Sequence, residues 1–202
     1  MKRALGVLAI LGVLALTGFG LGRLWLLSSL PPMGGREPVA GLGDSVVVLV
    51  DSLAVPHVLA RSEADAYTAL GYLHARDRLF QMELLRHASL GRLSELFGAR
   101  TVDQDRDLRA LEMGRIARAR VGRLSPESRA AAEAYSRGVN AWIARGGRAL
   151  ELRILRHDVE PWLPEHSLAI GVLQAWELHF AGDELDLAAV AARLGTEKAR
   201  EL

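Results

Sequence analysis

The chain has 202 residues, half of them hydrophobic, with 25 Lys and Arg against 24 Asp and Glu and no cysteine. Those proportions exclude a disordered chain and a collagen-like repeat, and a formal charge of +1 gives no electrostatic footprint for nucleic acid. The lack of cysteine removes a disulfide framework, a thiol nucleophile and a Cys-ligated zinc site.

Lys2 and Arg3 precede a run from Ala4 to Gly22 in which Thr17 is the only side chain that is neither apolar nor glycine. A charged start followed by ~19 apolar residues fits a secretory signal or a single membrane-spanning helix. The run exceeds the roughly 7–15 apolar residues of a cleaved signal, and no Ala-x-Ala triplet follows it. Residues 1–30 are therefore expected to export the chain and to stay as an anchor, with Lys2 and Arg3 on the cytoplasmic side. Pro31 to Pro38 reads as the core of a Pro/Gly-rich linker over 31–44, and residues 45–202 form the next region.

Ser45 to Val50 is rich in β-branched residues, and His57-Val58-Leu59 follows Pro56, which together predict two short strands or a hairpin. From Ser62 the pattern turns helical, with Ser62 as the cap and Glu63 and Asp65 in the first turn. Leu70, Leu73, Phe80 and Leu84 form the apolar stripe, widened by Leu79, Met82 and Leu85, and Gly91 and Gly98 mark breaks. Asp105 to Arg123 interleaves arginines with acids along an expected helix, a solvated face rather than a binding site. Ser125-Pro126-Glu127 starts a further helix with Ala131, Tyr135, Val139 and Trp142 on its buried side, and Gly146-Gly147 stops it. Pro161 to Pro164 opens a segment whose stretch from Leu168 to Trp176 is apolar almost all round, hence expected to be buried. A last helix is expected from Asp183 to Leu194.

Two polar clusters carry the candidate chemistry. His74, Asp77 and Gln81 recur at helical spacing on one face, with Arg78 beside them. They read either as a polar network supporting a site or as local pairs, His74 with Arg78 and Asp77 with Gln81, that only order the fold. A metal site of His74 and Asp77 alone would lack ligands. The second cluster is Trp176, His179 and Phe180, which suits the wall of an apolar pocket with one polar group, followed by Asp183, Glu184 and Asp186, oxygen donors of the kind calcium takes. Core aromatics and an acidic helix start explain the same residues. No Gly-rich phosphate loop, Gly-x-Ser-x-Gly elbow or paired-His metal motif is present, and these residues yield no nucleophile.

Ala54-Val55-Pro56-His57-Val58 resembles the Gly-Val-Pro-His-Ile motif of the penicillin acylase (penicillin amidase) family. Gly71 to Leu84 is similar to that family's hallmark helix, and Gly91 to Gly98 continues it. Leu124 to Glu127, Tyr135 to Ile143, and Pro161-Trp162 with Pro164-Glu165 resemble the blocks that follow, in the same order. The resemblance implies an α+β fold: the mostly helical α-chain portion of an N-terminal-nucleophile hydrolase (αββα), with one or two short strands after the anchor helix. It implies an exported precursor that cuts itself into an α and a β chain and hydrolyses the amide between an acyl group and an amine. Small-molecule acyl amides, penicillins or N-acyl homoserine lactones, are the implied substrates.

The resemblance further implies that the nucleophilic Ser and the oxyanion hole belong to the β chain, so no catalytic residue is expected in this sequence and no cofactor serves catalysis. An α-amine titrates near neutrality, so the N-terminal Ser of the β chain can use its own amine as base. By register with the family, Trp176, His179 and Phe180 line the acyl pocket, and Glu184 is the α-chain ligand of a structural calcium. His179 stands where penicillin acylases proper often have Arg, a shorter and only partly charged substitute. Ala54 replaces the motif glycine, which removes a residue suited to positive φ. A non-catalytic, membrane-anchored binding protein on the same fold is the alternative.

Overall fold

The computed structural model of the chain describes residues 2–31, 34–147, 149–178, 188–189 and 191–193. The chain is α+β, mostly helical with one two-stranded sheet among the described residues. It divides into two compact units, residues 1–85 with 124–164, and residues 86–123 with 165–202.

The first unit opens with α1, Lys2–Leu27, which is long and apolar enough to cross a membrane. The linker that follows is irregular, yet its second half is tied down: the Asp65 carboxylate accepts from the Gly43 N–H at 2.6 Å. Strands β1 (Val47–Val50) and β2 (Pro56–Leu59) pair antiparallel, with Val47 opposite Leu59 and Leu49 opposite His57. Asp51 builds the turn by accepting from the N–H groups of Leu53 and Val55, both at 2.9 Å, and its other oxygen meets His57 Nε2 at 3.1 Å. The bonds from Val55 and then His57 hold the Asp51 carboxyl below the usual carboxylate range. Ala54 keeps the left-handed backbone of this turn, with φ at 61°. The replacement of the motif glycine thus leaves the turn in place but loads it with strain. Ala54→Gly is expected to raise stability by about 1 kcal/mol, read as a higher urea midpoint with an unchanged slope.

Helix α2 (Glu63–Leu90) starts at the predicted cap, where Ser62 Oγ accepts from the Asp65 N–H at 3.1 Å and donates to the Asp65 carboxylate at 2.8 Å. The first unit takes it as far as Leu85. Leu73, Leu79 and Met82 of the expected stripe are buried along it, together with Ala69, Tyr72 and Ala75, whereas Leu70, Phe80, Leu84 and Leu85 are half-buried. The helix is not straight: Arg78 has φ −137° and ψ 21°, a kink with no proline or glycine at that position.

Helix α6 (Pro126–Ala144) begins at Ser125, whose Oγ accepts from the Ser128 N–H, and stops before Gly146 at φ 76°. Its buried side is turned from the expected one. Of the expected stripe Val139 is buried, but Ala131, Tyr135 and Trp142 are half-buried, and Ala134, Ser136 and Gly138 are buried in their place. Glycines cause the rotation. A Cβ on Gly138 would stand 1.9 Å from the Thr68 carbonyl oxygen, and one on Gly71 would stand 2.1 Å from that of Tyr135. Helices α2 and α6 therefore touch backbone to backbone, and the small residues, rather than the large apolar ones, face the crossing.

Helix α7 (Leu150–Leu155) buries Leu152. Trp162 is fully covered, and Asn140 clamps its backbone from both sides, donating to the Trp162 carbonyl at 2.9 Å and accepting from its N–H at 2.7 Å.

The second unit holds α3 (Ser94–Phe97), a 3-10 turn, α4 (Val102–Ala110), α5 (Met113–Val121) and, apart from its first residue, α8 (Pro164–Glu177). The single arginine-rich helix expected over Asp105 to Arg123 is two helices, broken where Glu112 takes a left-handed φ of 51°. Leu93, Leu96, Leu108, Met113 and Ala117 form the apolar interior of α3 to α5. Asp105 is buried among them, its two oxygens accepting from the N–H groups of Leu93 at 2.6 Å and Ser94 at 2.8 Å. Helix α8 buries only His166, Ala169 and Leu173. The expectation of burial all round fails, because an apolar sequence is buried only where something covers it. The helix expected over Asp183 to Leu194 falls largely outside the described residues.

Candidate functional site

The polar face of α2 is exposed at His74, Asp77, Arg78 and Gln81, gathered about the kink. Neither expected local pair forms. His74 Nδ1 lies 3.0 Å from the Tyr135 hydroxyl of α6, and the two rings meet edge to face with centroids 5.7 Å apart. Asp77 is held by its neighbour Arg76 instead of Gln81, through a two-pronged pair at 2.7 and 3.1 Å. Long-range packing of α2 on α6 carries His74 to Tyr135, and nothing in the local spacing signals it.

His74 is exposed as a residue, but partial desolvation of its ring, which packs against Tyr135, lowers its pKa below the ordinary 6.5, against an opposing pull from the Asp77 charge. Burial also pushes the Tyr135 hydroxyl up to about 12, so it stays protonated and can donate to a neutral His74. Because the folded pKa of His74 is depressed, its contribution is complete above the unfolded value and is lost as pH falls through the folded one. Stability is expected to decline as pH drops below about 6.5. His74→Gln, which still accepts from Tyr135, should flatten that part of the curve in thermal unfolding between neutral and mildly acidic pH.

Tyr72, two residues before His74 on the buried side, forms a second network that sequence reasoning missed. Its hydroxyl donates to the Glu37 carboxylate, while Arg145 donates to the same hydroxyl at 2.6 Å and to Glu37 at 2.9 Å. Burial and then Glu37 raise the Tyr72 pKa to about 12. The linker carboxylate is thereby stapled to two helices. Deeper in the unit, fully buried Glu83 pairs with His157 at 3.2 Å. Glu83 lies in the same stretch of sequence as the exposed cluster, but on the opposite side of α2.

Of the expected pocket residues, Trp176 lies in the last turn of α8 and is 50% exposed. His179, Phe180 and the expected calcium ligand Glu184 lie outside the described residues. In the second unit, Arg92, Arg109, Arg115 and Arg118 rim a cavity of about 460 Å³ floored by Leu90, Leu108 and Met113. Arg92 and Arg115 are committed to Glu95 and Glu112.

The family model for penicillin amidase matches residues 45–202. The chain belongs to the penicillin amidase family. It is 42% identical over 146 residues to the penicillin acylase 2 proenzyme of Pseudomonas sp. (strain SE83), which covers 72% of this chain and 19% of that protein. It is 38% identical over 165 residues to the acyl-homoserine lactone acylase QuiP of Pseudomonas fluorescens (strain Pf0-1), covering 80% of this chain and 20% of that one. The chain thus spans about a fifth of the length of these curated relatives. The fold likeness extends to a thermostable penicillin G acylase from Alcaligenes faecalis, with a TM-score of 0.60 and 24% identity over 78% of this chain and 88% of the solved one.

Proposed function

We propose that this chain is the α-chain part of an exported amide hydrolase that removes acyl groups from amines. The substrates are β-lactam acyl amides or N-acyl homoserine lactones, and a β chain of the same precursor supplies the nucleophilic Ser and the oxyanion hole. The observation that carries this reading is 42% and 38% identity to acylases of those two kinds over most of the chain. Processing into chains is supported by the proenzyme name of one relative, and by a solved chain that this one nearly spans although it spans a fifth of the curated relatives. On the hairpin, Val47, Leu49, Leu53, Val55 and Leu59 are exposed, an apolar surface that suits a sheet continued by another chain. Trp176, His179 and Phe180 form the α-chain wall of the acyl pocket. The half-exposed Trp176 ring suits a pocket closed from the other side. Glu184 contributes to a structural calcium, and α1 remains in the membrane.

The reading is tested by isolating the chain from its native host. A tightly bound second chain whose N-terminal residue is Ser is the expected companion; a chain of this length with no companion would contradict it. Phe180→Ala in the assembled enzyme is expected to change the ratio of rates for long and short acyl groups by roughly tenfold, and an unchanged ratio removes the pocket assignment. A chelator should lower the melting temperature of the wild type more than that of Glu184→Ala, whereas equal shifts remove the calcium.

A further inference from the structure

Helix α7 is joined to the C-terminal end of α1. The Arg153 guanidinium carbon lies 4.8 Å from the centre of the Trp25 ring, and Arg153 also donates to the Ser28 hydroxyl at 3.2 Å. Arg153 is half-buried by these contacts, while the next residue, Ile154, is 61% exposed. Leu24 and Leu27 at the same end of α1, and Leu30 just beyond it, are exposed. Arg156 ends α7 in a left-handed conformation at φ 54° and is also exposed.

The length of α1 gives these contacts a depth. The apolar run from Ala4 to Gly22 rises ~28 Å at about 1.5 Å per residue, close to the roughly 30 Å of a hydrocarbon core. Arg23 then marks the outer edge of the core, and Trp25 falls about 3 Å beyond it, at the headgroup level that tryptophan favours. A residue stacked on Trp25 shares that level. An arginine there meets lipid phosphate, and an isoleucine beside it meets the acyl boundary.

We propose that the first unit rests on the membrane through α7, with Ile154 inserted at the headgroup–acyl boundary and Arg153 and Arg156 on the phosphates of a phospholipid bilayer. This rests on the reading of α1 as a retained anchor. The Arg153–Trp25 stack is the clasp: it fixes the folded unit against the bilayer instead of leaving it on a flexible tether. Such a placement gives an enzyme acting on acylated amphiphiles access to molecules already partitioned at the surface.

The chain has no cysteine, so Ile154→Cys can carry a single environment-sensitive fluorophore. The full chain is reconstituted in vesicles of phosphatidylethanolamine and phosphatidylglycerol, with Leu53→Cys, at an 82% exposed position on the hairpin, as the reference. The label at 154 is expected to show blue-shifted emission and quenching by headgroup-level spin-labelled lipid, while the label at 53 stays water-like. Adding Trp25→Ala should remove at least half of the shift at 154 without releasing the chain from the vesicles. A 154 label as water-like as the reference, in a chain that still sediments with alkaline-washed vesicles, overturns this inference alone. An unchanged shift in the Trp25 variant overturns the clasp. Failure to sediment overturns the anchor and this inference together.

Discussion

Gly138→Ala is expected to cost about 3 kcal/mol or more and to remove the cooperative unfolding of the first unit. The alanine methyl would stand 1.9 Å from the Thr68 carbonyl oxygen and 2.7 Å from the Tyr72 nitrogen. Both contacts are backbone atoms of α2, so no side chain can rotate away, and the two helices must separate. Separation uncovers Ala69, Leu73 and Val139, all of which are buried. It also pulls Tyr135 from His74 and strains the link between Tyr72 and Arg145. Gly71→Ala repeats the test from the other helix, with its methyl 2.1 Å from the Tyr135 carbonyl oxygen. Gly171→Ala on α8, where nothing lies within 4 Å, is the control and should be neutral or slightly stabilising through helix propensity. Thermal unfolding by far-UV circular dichroism distinguishes them: a broad, low transition for Gly138→Ala, and a wild-type transition for Gly171→Ala. A wild-type transition for Gly138→Ala would mean that the α2–α6 crossing is wider than described.

Asp105→Ala is the second large effect, expected at about 3 kcal/mol, because it strips acceptors from two backbone N–H groups at once. The Leu93 N–H is buried, so it regains no water when the carboxylate goes. Burial pushes the Asp105 pKa up, but bonds from Ser94 and Leu93 and the Arg109 charge outweigh it, leaving the carboxyl below its ordinary 3.8. The sign follows from that depression: the stabilisation is complete above the unfolded value and is lost as pH falls through the folded one. Asp105→Asn keeps one acceptor oxygen and should lose roughly half as much at neutral pH. The gap between wild type and Asp105→Asn in urea unfolding should therefore be widest near neutrality and narrow below about pH 4. A gap independent of pH would remove the charged capping role.

Local features of the fold were legible wherever one residue acts on its own backbone. Ser62 and Ser125 cap the helices they were expected to cap, Gly91 and Gly146 follow helix ends, and Pro56 opens the second strand. Partners distant in sequence were not legible. One of the two readings paired His74 along its own helix, yet its partner Tyr135 comes from α6, because the glycine crossing determines which faces meet. The same crossing turned α6 toward Ala134 and Gly138, a burial that large-residue periodicity does not weigh. Apolar periodicity also overstated the cover on α8, where Leu173 is buried and Trp176 is not. Hydrophobicity states what a side chain favours, whereas burial needs a surface to supply it. The recognition of the family rested on ordered motifs, which retain the registers that pairwise physics left ambiguous.

The proposed function divides an acylase between this chain and another that carries the reacting groups. Purified chain, with and without the separately produced remainder of its precursor, is assayed for free amine released from a phenylacetyl amide and from an N-acyl homoserine lactone. That division predicts no release by the chain alone and turnover of at least one substrate once the remainder is added. Release of amine by the 202-residue chain alone would contradict it.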